Sequence, residues 1–289
     1  MTGDLHCHTT LSDGSLGIEE VIVQAKRMGL DFLAITDHDT LSSSSRAAIL
    51  GERYGVKMIP AVELSAWDKK RDEKVHILCY APQKPNRLEG LCLKSCRIRT
   101  ECAKEMIEKV CQRYPITPEA VLKYTKGSKS IYKQHIMRAL VNYGYATEIY
   151  GYVNDKLFSY PKGECLVTRE YPDVNFVLDL IHSSKGVAVL AHPHMFKNTE
   201  LMKELTEAGK LDGVECGHYS ATPIQQAELR EFCAENGLIA TGGSDFHGLY
   251  NSTMTHIGSY VTDDENLEKL FKLISANAKK AKKSENPDA

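Results

Sequence analysis

No Cys-x-x-Cys pair occurs in this sequence, and its nine cysteines are scattered from Cys7 to Cys233. That excludes the paired-thiolate zinc sites, and an odd, unclustered set fits reduced thiols, most of them small buried hydrophobes, in a cytoplasmic protein. No apolar run is long enough to span a bilayer, and no stretch resembles a signal peptide, so no membrane partner is expected. Charge of either sign is not in surplus. Lys and Arg number 36 against 38 Asp and Glu, a net of -2, which argues against bulk binding to long nucleic acid or to an anionic surface. Any anionic substrate must be met by local charge or by metal. Also missing are the nucleophile elbow GxSxG, the phosphate loop GxxxxGK[ST] and the dinucleotide fingerprint GxGxxG.

What is present is an alternation. Ordinary globular composition, 42% hydrophobic and 26% charged over 289 residues, suffices for one large core or a core with an insertion. Residues 3–8, 31–36, 56–62 and 75–80 read as strands, and residues 18–28 and 44–54 as helices. Ile18, Val21, Ile22, Ala25 and Met28 share one helical face before the stop at Gly29. From about residue 86 to 160 the chain is polar and helical, without convincing strands. Helices at 173–184, 198–208 and 223–236 then alternate with strands at 187–190, 213–216 and 238–241. A last strand near 255–261, a helix near 265–275 and a frayed, solvated lysine-rich end complete it. This is an α/β pattern and predicts a parallel sheet with helices outside it. The expected divisions are 1–82 and 167–276 for the two parts of an α/β barrel, 83–166 for a helical insertion and 277–289 for a charged tail.

The polar residues fall where such a barrel would use them. In Asp4-Leu5-His6-Cys7-His8 the period of two sends His6 and His8 to the same side of a strand. Asp13 lies in the loop that follows. Asp37-His38-Asp39 follows the second strand, Glu63 closes the third and His76 lies in the fourth. His192 follows Val187–Leu190, and Asp245 and His247 follow residues 238–241 in Gly242-Gly243-Ser244-Asp245-Phe246-His247-Gly248. Strand C-termini form the active face of α/β barrels. Each position alone reads as a cap or a satisfied loop residue. Asp39 fits a helix cap and Asp37 divides evenly, but the set together points to metal. Histidines and carboxylates without paired thiols suit Mn, Zn or Fe at a hydrolytic site, and their number exceeds one ion's needs. A shared carboxylate such as Glu63 can bridge two ions and activate a water between them. The glycines at 242 and 243 read as turn formers that let Asp245 and His247 face inward.

Taken in order, HxH, TDHDT, the isolated Glu, VHIL, LAHP and GGSDFHG resemble the PHP (polymerase and histidinol phosphatase) family across most of the chain. The resemblance implies a distorted seven-stranded (β/α) barrel with a helical insertion and a cluster of two or three divalent ions. His6, His8, Glu63 and Asp245 would hold one ion, and Glu63, His76 and His192 a second. Asp13, His38 and His247 would hold the third, with Asp13 and His38 also facing substrate. Glu63, Asp245 and His192 are the catalytic candidates, the last two as proton donors to the leaving oxygen.

The sequence is most similar to the stand-alone branch of 3′,5′-nucleoside bisphosphate phosphatases and 5′→3′ exoribonucleases. That implies a small phosphorylated substrate, a nucleotide or short oligonucleotide, with insertion residues Arg97, Arg99 and His135 on its phosphate. An arginine usual before that histidine is replaced in Tyr132-Lys133-Gln134, where Lys133 supplies a point charge rather than a bidentate fork. His194 departs from the branch, and both it and His218 read as supporting or surface residues. Tyr132, Tyr143, Tyr145, Tyr150, Tyr152 and Tyr160 read as insertion core rather than as a stacking platform. Rival readings are a phosphatase for another metabolite such as histidinol phosphate, a non-catalytic metal-binding module, and an amidohydrolase, which the TDHDT and GSDFH motifs disfavour.

Overall fold

A computed structural model describes residues 1–285. Strands β1 (Gly3–Cys7), β2 (Phe32–Ile35) and β3 (Lys57–Met58) form a parallel sheet in that order, crossed by helices α1 (Ile18–Arg27) and α2 (Ser44–Tyr54). A second sheet holds β4 (Ala61–Asp68), β5 (Glu73–Tyr80), β6 (Val187–Leu190), β7 (Gly213–Gly217) and β8 (Ile239–Gly242), again in chain order. Between β5 and β6 lie α3 (Asn86–Cys111), α4 (Pro118–Leu122), α5 (Lys133–Asn142) and α6 (Tyr152–Phe158). The chain then continues through α7 (Val174–Ser183), α8 (Thr199–Glu207), α9 (Pro223–Glu235) and α10 (Asp264–Glu285) around the later strands. No helix of the described residues is long and apolar enough to cross a membrane.

The architecture is mixed α/β, but it departs from the expected parallel sheet. β5 runs antiparallel to both β4 and β6. Residues 69–72 are too few for the crossover that parallel neighbours need, so β4 and β5 must form a hairpin. The strand expected over 56–62 splits at Pro60, which has no N–H to give a ladder. β3 stays with the first sheet and β4 begins the second. Among the described residues the sheets meet at isolated bridges, His38 with Glu63 on one side, Cys7 with Phe246 and Gly3 with Thr262 on the other, and do not close as one ladder. No strand forms over 255–261, where Asp4 and Asn251 side chains hold the backbone instead. The last helix extends well past 275, so residues 277–285 are helical rather than frayed. Residues 286–289, the rest of the expected tail, lie outside the described residues.

Four apolar clusters set the layers. Leu5, Ala34, Leu78, Tyr80, Val189 and Ile239 fill the space between the sheets. α1 and α2 cover the first sheet through Val21, Ile22, Ala47 and Leu50. The outward faces of β4 and β5 pack on α3 and α7 through Val62, Leu64, Ile77, Leu88 and Val177. The residues between β5 and β6 have a cluster of their own, with Met106, Val110, Ile136, Leu140 and Leu157 at its centre. α3 belongs to both: its first turns pack on the sheet and its last turns enter that separate core.

Candidate metal centre

Strand alternation builds the centre. On β1, Cys7 points outward into the helix layer while His6 and His8 turn inward, both fully buried. Their Nε2 atoms lie 3.2 Å apart, each 3.2–3.3 Å from Glu63 Oε2 and from Asp245 Oδ1. Glu63 is fixed by its backbone, which accepts from Asp39 N–H at 2.9 Å and donates to Thr36 O at 3.0 Å. Its other oxygen, Oε1, faces His76 Nδ1 at 2.5 Å and His192 Nε2 at 3.0 Å. His38 Nδ1 approaches Oε2 at 3.0 Å. Asp13 gathers a third group: His247 Nε2 at 3.4 Å, His8 Nδ1 at 3.7 Å and His38 Nε2 at 3.7 Å.

Every candidate ligand named from the sequence therefore reaches this one region. The donor atoms fall into three sets, each with all members within 4.8 Å of one another: His6, His8, Glu63 and Asp245; His38, Glu63 and His76; His8, Asp13, His38 and His247. These differ in part from the sets implied by resemblance. His38 and His8 each face two groups through different ring nitrogens, and His192 stands beside the second set, 3.3 Å from His76 Nδ1.

The donors suit cations. Asp13 Oδ1, His38 Nδ1 and Glu63 Oε2 are buried and make no hydrogen bond, although opposite partners lie 3.0–3.7 Å away. Buried polar atoms are ordinarily paired, so convergent atoms aimed at a common point rather than at each other are what a metal ion satisfies. Burial alone would push the Glu63 carboxyl up, yet the imidazoles of His38, His76 and His6 hold it well below its usual range. Asp245 is likewise held low against its burial by His6 and His247. The anions needed for divalent ions are thus charged in place.

Supporting contacts orient the ligands. Glu215 on β7 accepts from the His192 backbone N–H at 2.9 Å and faces His6 Nδ1 at 2.9 Å. Histidine ligands ordinarily have such a carboxylate behind them. Sequence reasoning misses Glu215, although a carboxylate inside an otherwise apolar strand is a signal for it. Asp4 accepts from the N–H groups of Ser244 and Gly258, holding the loop that carries Asp245. His218, expected to be a supporting or surface residue, is buried with Nε2 3.3 Å from Asp245 Oδ2. Two site residues sit in left-handed backbone, His192 at φ 27° and Asp245 at φ 49°, conformations that surrounding structure must enforce. Gly243 helps: a Cβ there would meet His6 N at 2.6 Å, so it permits close approach of the loop to β1 rather than forming a turn by positive φ.

Several expected roles are not met. Asp37 accepts from Thr9 N–H, Thr9 Oγ1 and Ser12 Oγ and so braces the Asp13 loop. Asp39 is no helix cap; it is fully buried, accepts from Ser65 and pairs with Arg99. Arg99 is thereby held beneath the site, also donating to Ser65 and Tyr132 hydroxyls. Arg97 is exposed on the far face of α3 beside Glu101. His135 is buried, accepts from Tyr132 N–H, and is lowered to about 4 by that burial. None of these three phosphate contacts lines the cleft above Glu63, a space of about 310 Å³. Its wall instead includes Lys74, Gln134, Tyr150, Phe196 and Tyr219. Lys74 was legible, being two residues before His76 on one strand face. Among the tyrosines, Tyr145 and Tyr150 pack on the insertion core, Tyr132 is buried between Arg99 and His38 instead, and Tyr143, Tyr152 and Tyr160 are exposed. His194 is partly exposed and sits outside the ligand groups.

Known proteins are similar to this chain along most of its length. It is 34% identical over 260 residues to a phosphoribosyl 1,2-cyclic phosphate 1,2-diphosphodiesterase of Eggerthella lenta, covering 89% of this chain and 98% of that protein. It is 30% identical over 255 residues to the 5′-3′ exoribonuclease Rnm of Escherichia coli, covering 84% of each. A crystal structure described as a metal-dependent phosphoesterase of Bifidobacterium adolescentis superposes with a TM-score of 0.84 at 28% identity, over 94% of this chain and 96% of that one. The family model described as the PHP domain matches residues 4–279, and the chain belongs to the PHP domain family.

Proposed function

We propose that this metal-dependent phosphoric ester hydrolase acts on small ribosyl phosphates: nucleotides, phosphoribosyl phosphates or the 5′ end of a short oligonucleotide. The observation that carries the reading is Glu63, one buried carboxylate whose two oxygens face five imidazoles at the floor of a cleft. His6, His8, Glu63 and Asp245 would hold one divalent ion, Glu63 with His76, His192 or His38 a second, and Asp13 with His247 and its neighbours a third. Such ions supply Lewis acidity to phosphoryl oxygens and lower the pKa of water.

The protein's own groups position the ester. Gln134 donates to Asp13 Oδ2 at 3.1 Å and to Tyr150 OH at 3.0 Å, bringing the insertion to the edge of the ligand groups. Residues 83–166 act as a substrate cap through this edge. Met195, Phe196, Tyr150 and Tyr250 narrow the opening and exclude water. His192 and Asp245, both in the cleft wall, are placed to pass a proton to the leaving oxygen. The cleft is at the small end of ligand sites, which favours a small ester over a polymer.

The test is the product that Mn-loaded protein forms from four compounds: inorganic phosphate from the monoesters, a ring-opened phosphomonoester from the cyclic diester and nucleoside 5′-monophosphate from the RNA. The compounds are a 3′,5′-nucleoside bisphosphate, phosphoribosyl 1,2-cyclic phosphate, a short 5′-phosphorylated RNA and histidinol phosphate. Turnover of a ribosyl compound, lost on chelation, is expected. Faster turnover of histidinol phosphate would replace the substrate class, and no hydrolysis product from any with metal bound would end the reading.

A further inference from the structure

Gln134 and Tyr150 carry the insertion to the edge of the ligand groups, and the direction of their hydrogen bonds follows from the groups they touch. Both line the cleft, and Gln134 Nε2 lies 3.1 Å from Asp13 Oδ2 and 3.0 Å from Tyr150 OH. Against its burial, Asp13 is held well below the usual carboxylate range by His247 and His38, so it only accepts. The amide end that faces it is therefore the NH2. One hydrogen of that NH2 goes to Asp13 and the other to Tyr150, so the Tyr150 oxygen accepts on the Gln134 side. A phenol has one proton of its own to give, and here it turns away from Gln134. Among the described residues no acceptor stands within 3.5 Å of it.

The surroundings say where that O–H faces. Burial, then the nearby carboxylates of Asp13 and Asp245, push the Tyr150 phenol up, so it keeps its proton at neutral pH. Asp13 and Asp245 belong to different ligand groups and line the same cleft. Other polar groups of the wall are engaged elsewhere. The phenol of Tyr250 feels Arg138 and Tyr124 of the insertion, the Tyr219 hydroxyl shares a hydrogen bond with Ser252 at 3.2 Å, and the Asn251 amide donates to Thr255. Tyr150 thus presents an uncommitted neutral donor to the cleft from the cap side. A substrate that fills the cleft displaces the water that satisfies this donor. The substrate must then accept from it, or the desolvation cost of an unmade hydrogen bond remains.

We propose that Tyr150 is a catalytic residue whose O–H donates to a non-bridging oxygen of the phosphoryl group being cleaved, and that Gln134 is the positioning residue that turns the O–H there. This rests on the hydrolase reading above and adds a substrate contact to it. Tyr150 keeps its proton throughout. A fixed neutral donor stabilises an oxygen that gains negative charge, and it brings no cation to compete for the carboxylates of the ligand groups.

The experiment compares the Mn-loaded wild type with Tyr150→Phe, which removes one oxygen atom. The substrates are adenosine 3′,5′-bisphosphate and phosphoribosyl 1,2-cyclic phosphate. For each that the wild type cleaves, kcat/KM should fall ~10–100-fold, as for loss of a hydrogen bond to a charged group, with Mn content and melting temperature unchanged. Gln134→Leu should lower kcat/KM in the wild type but by less than about twofold in the Tyr150→Phe background, because the two residues act as one unit. An equal loss in both backgrounds would show that Gln134 acts through Asp13 and would overturn its positioning role. A loss of activity matched by a loss of Mn would make Tyr150 a brace of the Asp13 group and would overturn the proposal.

A second readout needs no turnover. Inorganic phosphate titrated calorimetrically into the Mn-loaded proteins should bind Tyr150→Phe at least ~10-fold more weakly than the wild type. If the wild type cleaves no ester but this weakening is seen, the hydrolase reading fails and the phosphate contact stands. If both proteins cleave esters with equal kcat/KM and bind phosphate alike, the Tyr150 contact fails and the hydrolase stands.

Discussion

The sheet core and the helices inserted between β5 and β6 treat polar residues in opposite ways. In the core, side chains as distant in sequence as His6 and His247 are delivered to one point, with their spare atoms left unpaired. In the insertion, charged and polar groups are consumed in buried pairs away from the cleft, within the insertion or against the sheets beneath it. Arg99 is paired with Asp39, and His135 accepts from Tyr132 N–H. The insertion has its own apolar core and reaches the metal groups mainly through Gln134. A sheet fixes where chemistry happens because its ladders set each side chain's direction. A helical cap contributes only what one edge of one face presents.

The largest expected effect tests the core's side of that contrast. Glu63→Gln should lower turnover by more than the ~10–100-fold typical for loss of a partner behind a metal ligand, and metal content should fall with it. Glu215→Gln, whose carboxylate backs His6 and the His192 backbone but belongs to none of the three ligand groups, should fall within that ~10–100-fold range. Atomic absorption and phosphate release measure both. A Glu63→Gln protein with full metal and full activity would show that the converging carboxylate is not what joins the groups.

The insertion's side is tested by its two arginines. Removing Arg99 leaves the buried Asp39 carboxylate without its cation, and breaking such a pair costs about 3–5 kcal/mol. Denaturant melts of Arg99→Met should show that loss, and Asp39→Asn on the same background should recover much of it. Arg97→Ala should leave stability within about 0.5 kcal/mol, as surface changes do, and KM unchanged. A tenfold rise in KM for Arg97→Ala would mean that the outer face of α3 does meet substrate, and the contrast would collapse.

The same difference explains which features are legible in the amino-acid sequence. The ligands are legible because a strand's period of two and the ends of strands leave few choices of direction, as at His6, His8 and Asp245. What is hidden in the core is long-range pairing. Nothing in the run from Val75 to Tyr80 by itself says that β5 is reversed, although the short connector before it does. In the insertion the period of 3.6 offers several faces, and no local pattern says which one meets the cleft. Arg97 and Arg99 are two residues apart on α3 and end on different sides, one exposed and one buried. Arg169, whose guanidinium carbon lies 4.3 Å over the ring of Tyr171, carries no signal, since the β4–β5 hairpin residue Trp67 against which Tyr171 stacks joins them only in three dimensions.

The smallest effect concerns pH and the place where core and insertion meet. Lys133 faces Lys74 from β5, Arg169 and Tyr171 from the segment before α7, and the carbonyl of Phe158. With Lys133 and Tyr171 both near 8, raising the pH through that value removes a positive charge and adds a negative one. Arg169 keeps its charge throughout. The sign is therefore the same for both titrations: anion binding is strongest below pH 8 and weakens above it. KM for adenosine 3′,5′-bisphosphate should be flat between about pH 7 and 8, where its phosphates are already dianions, and rise about tenfold per unit above 8 for each proton-linked charge, while KM for adenosine 3′-monophosphate stays level. Lys133→Gln should flatten the rise to what Tyr171 alone supplies, and Tyr171→Phe with it should abolish the remainder. A rise shared equally by both substrates would place the titrating group at the metal centre, and core and insertion would then not divide the substrate between them.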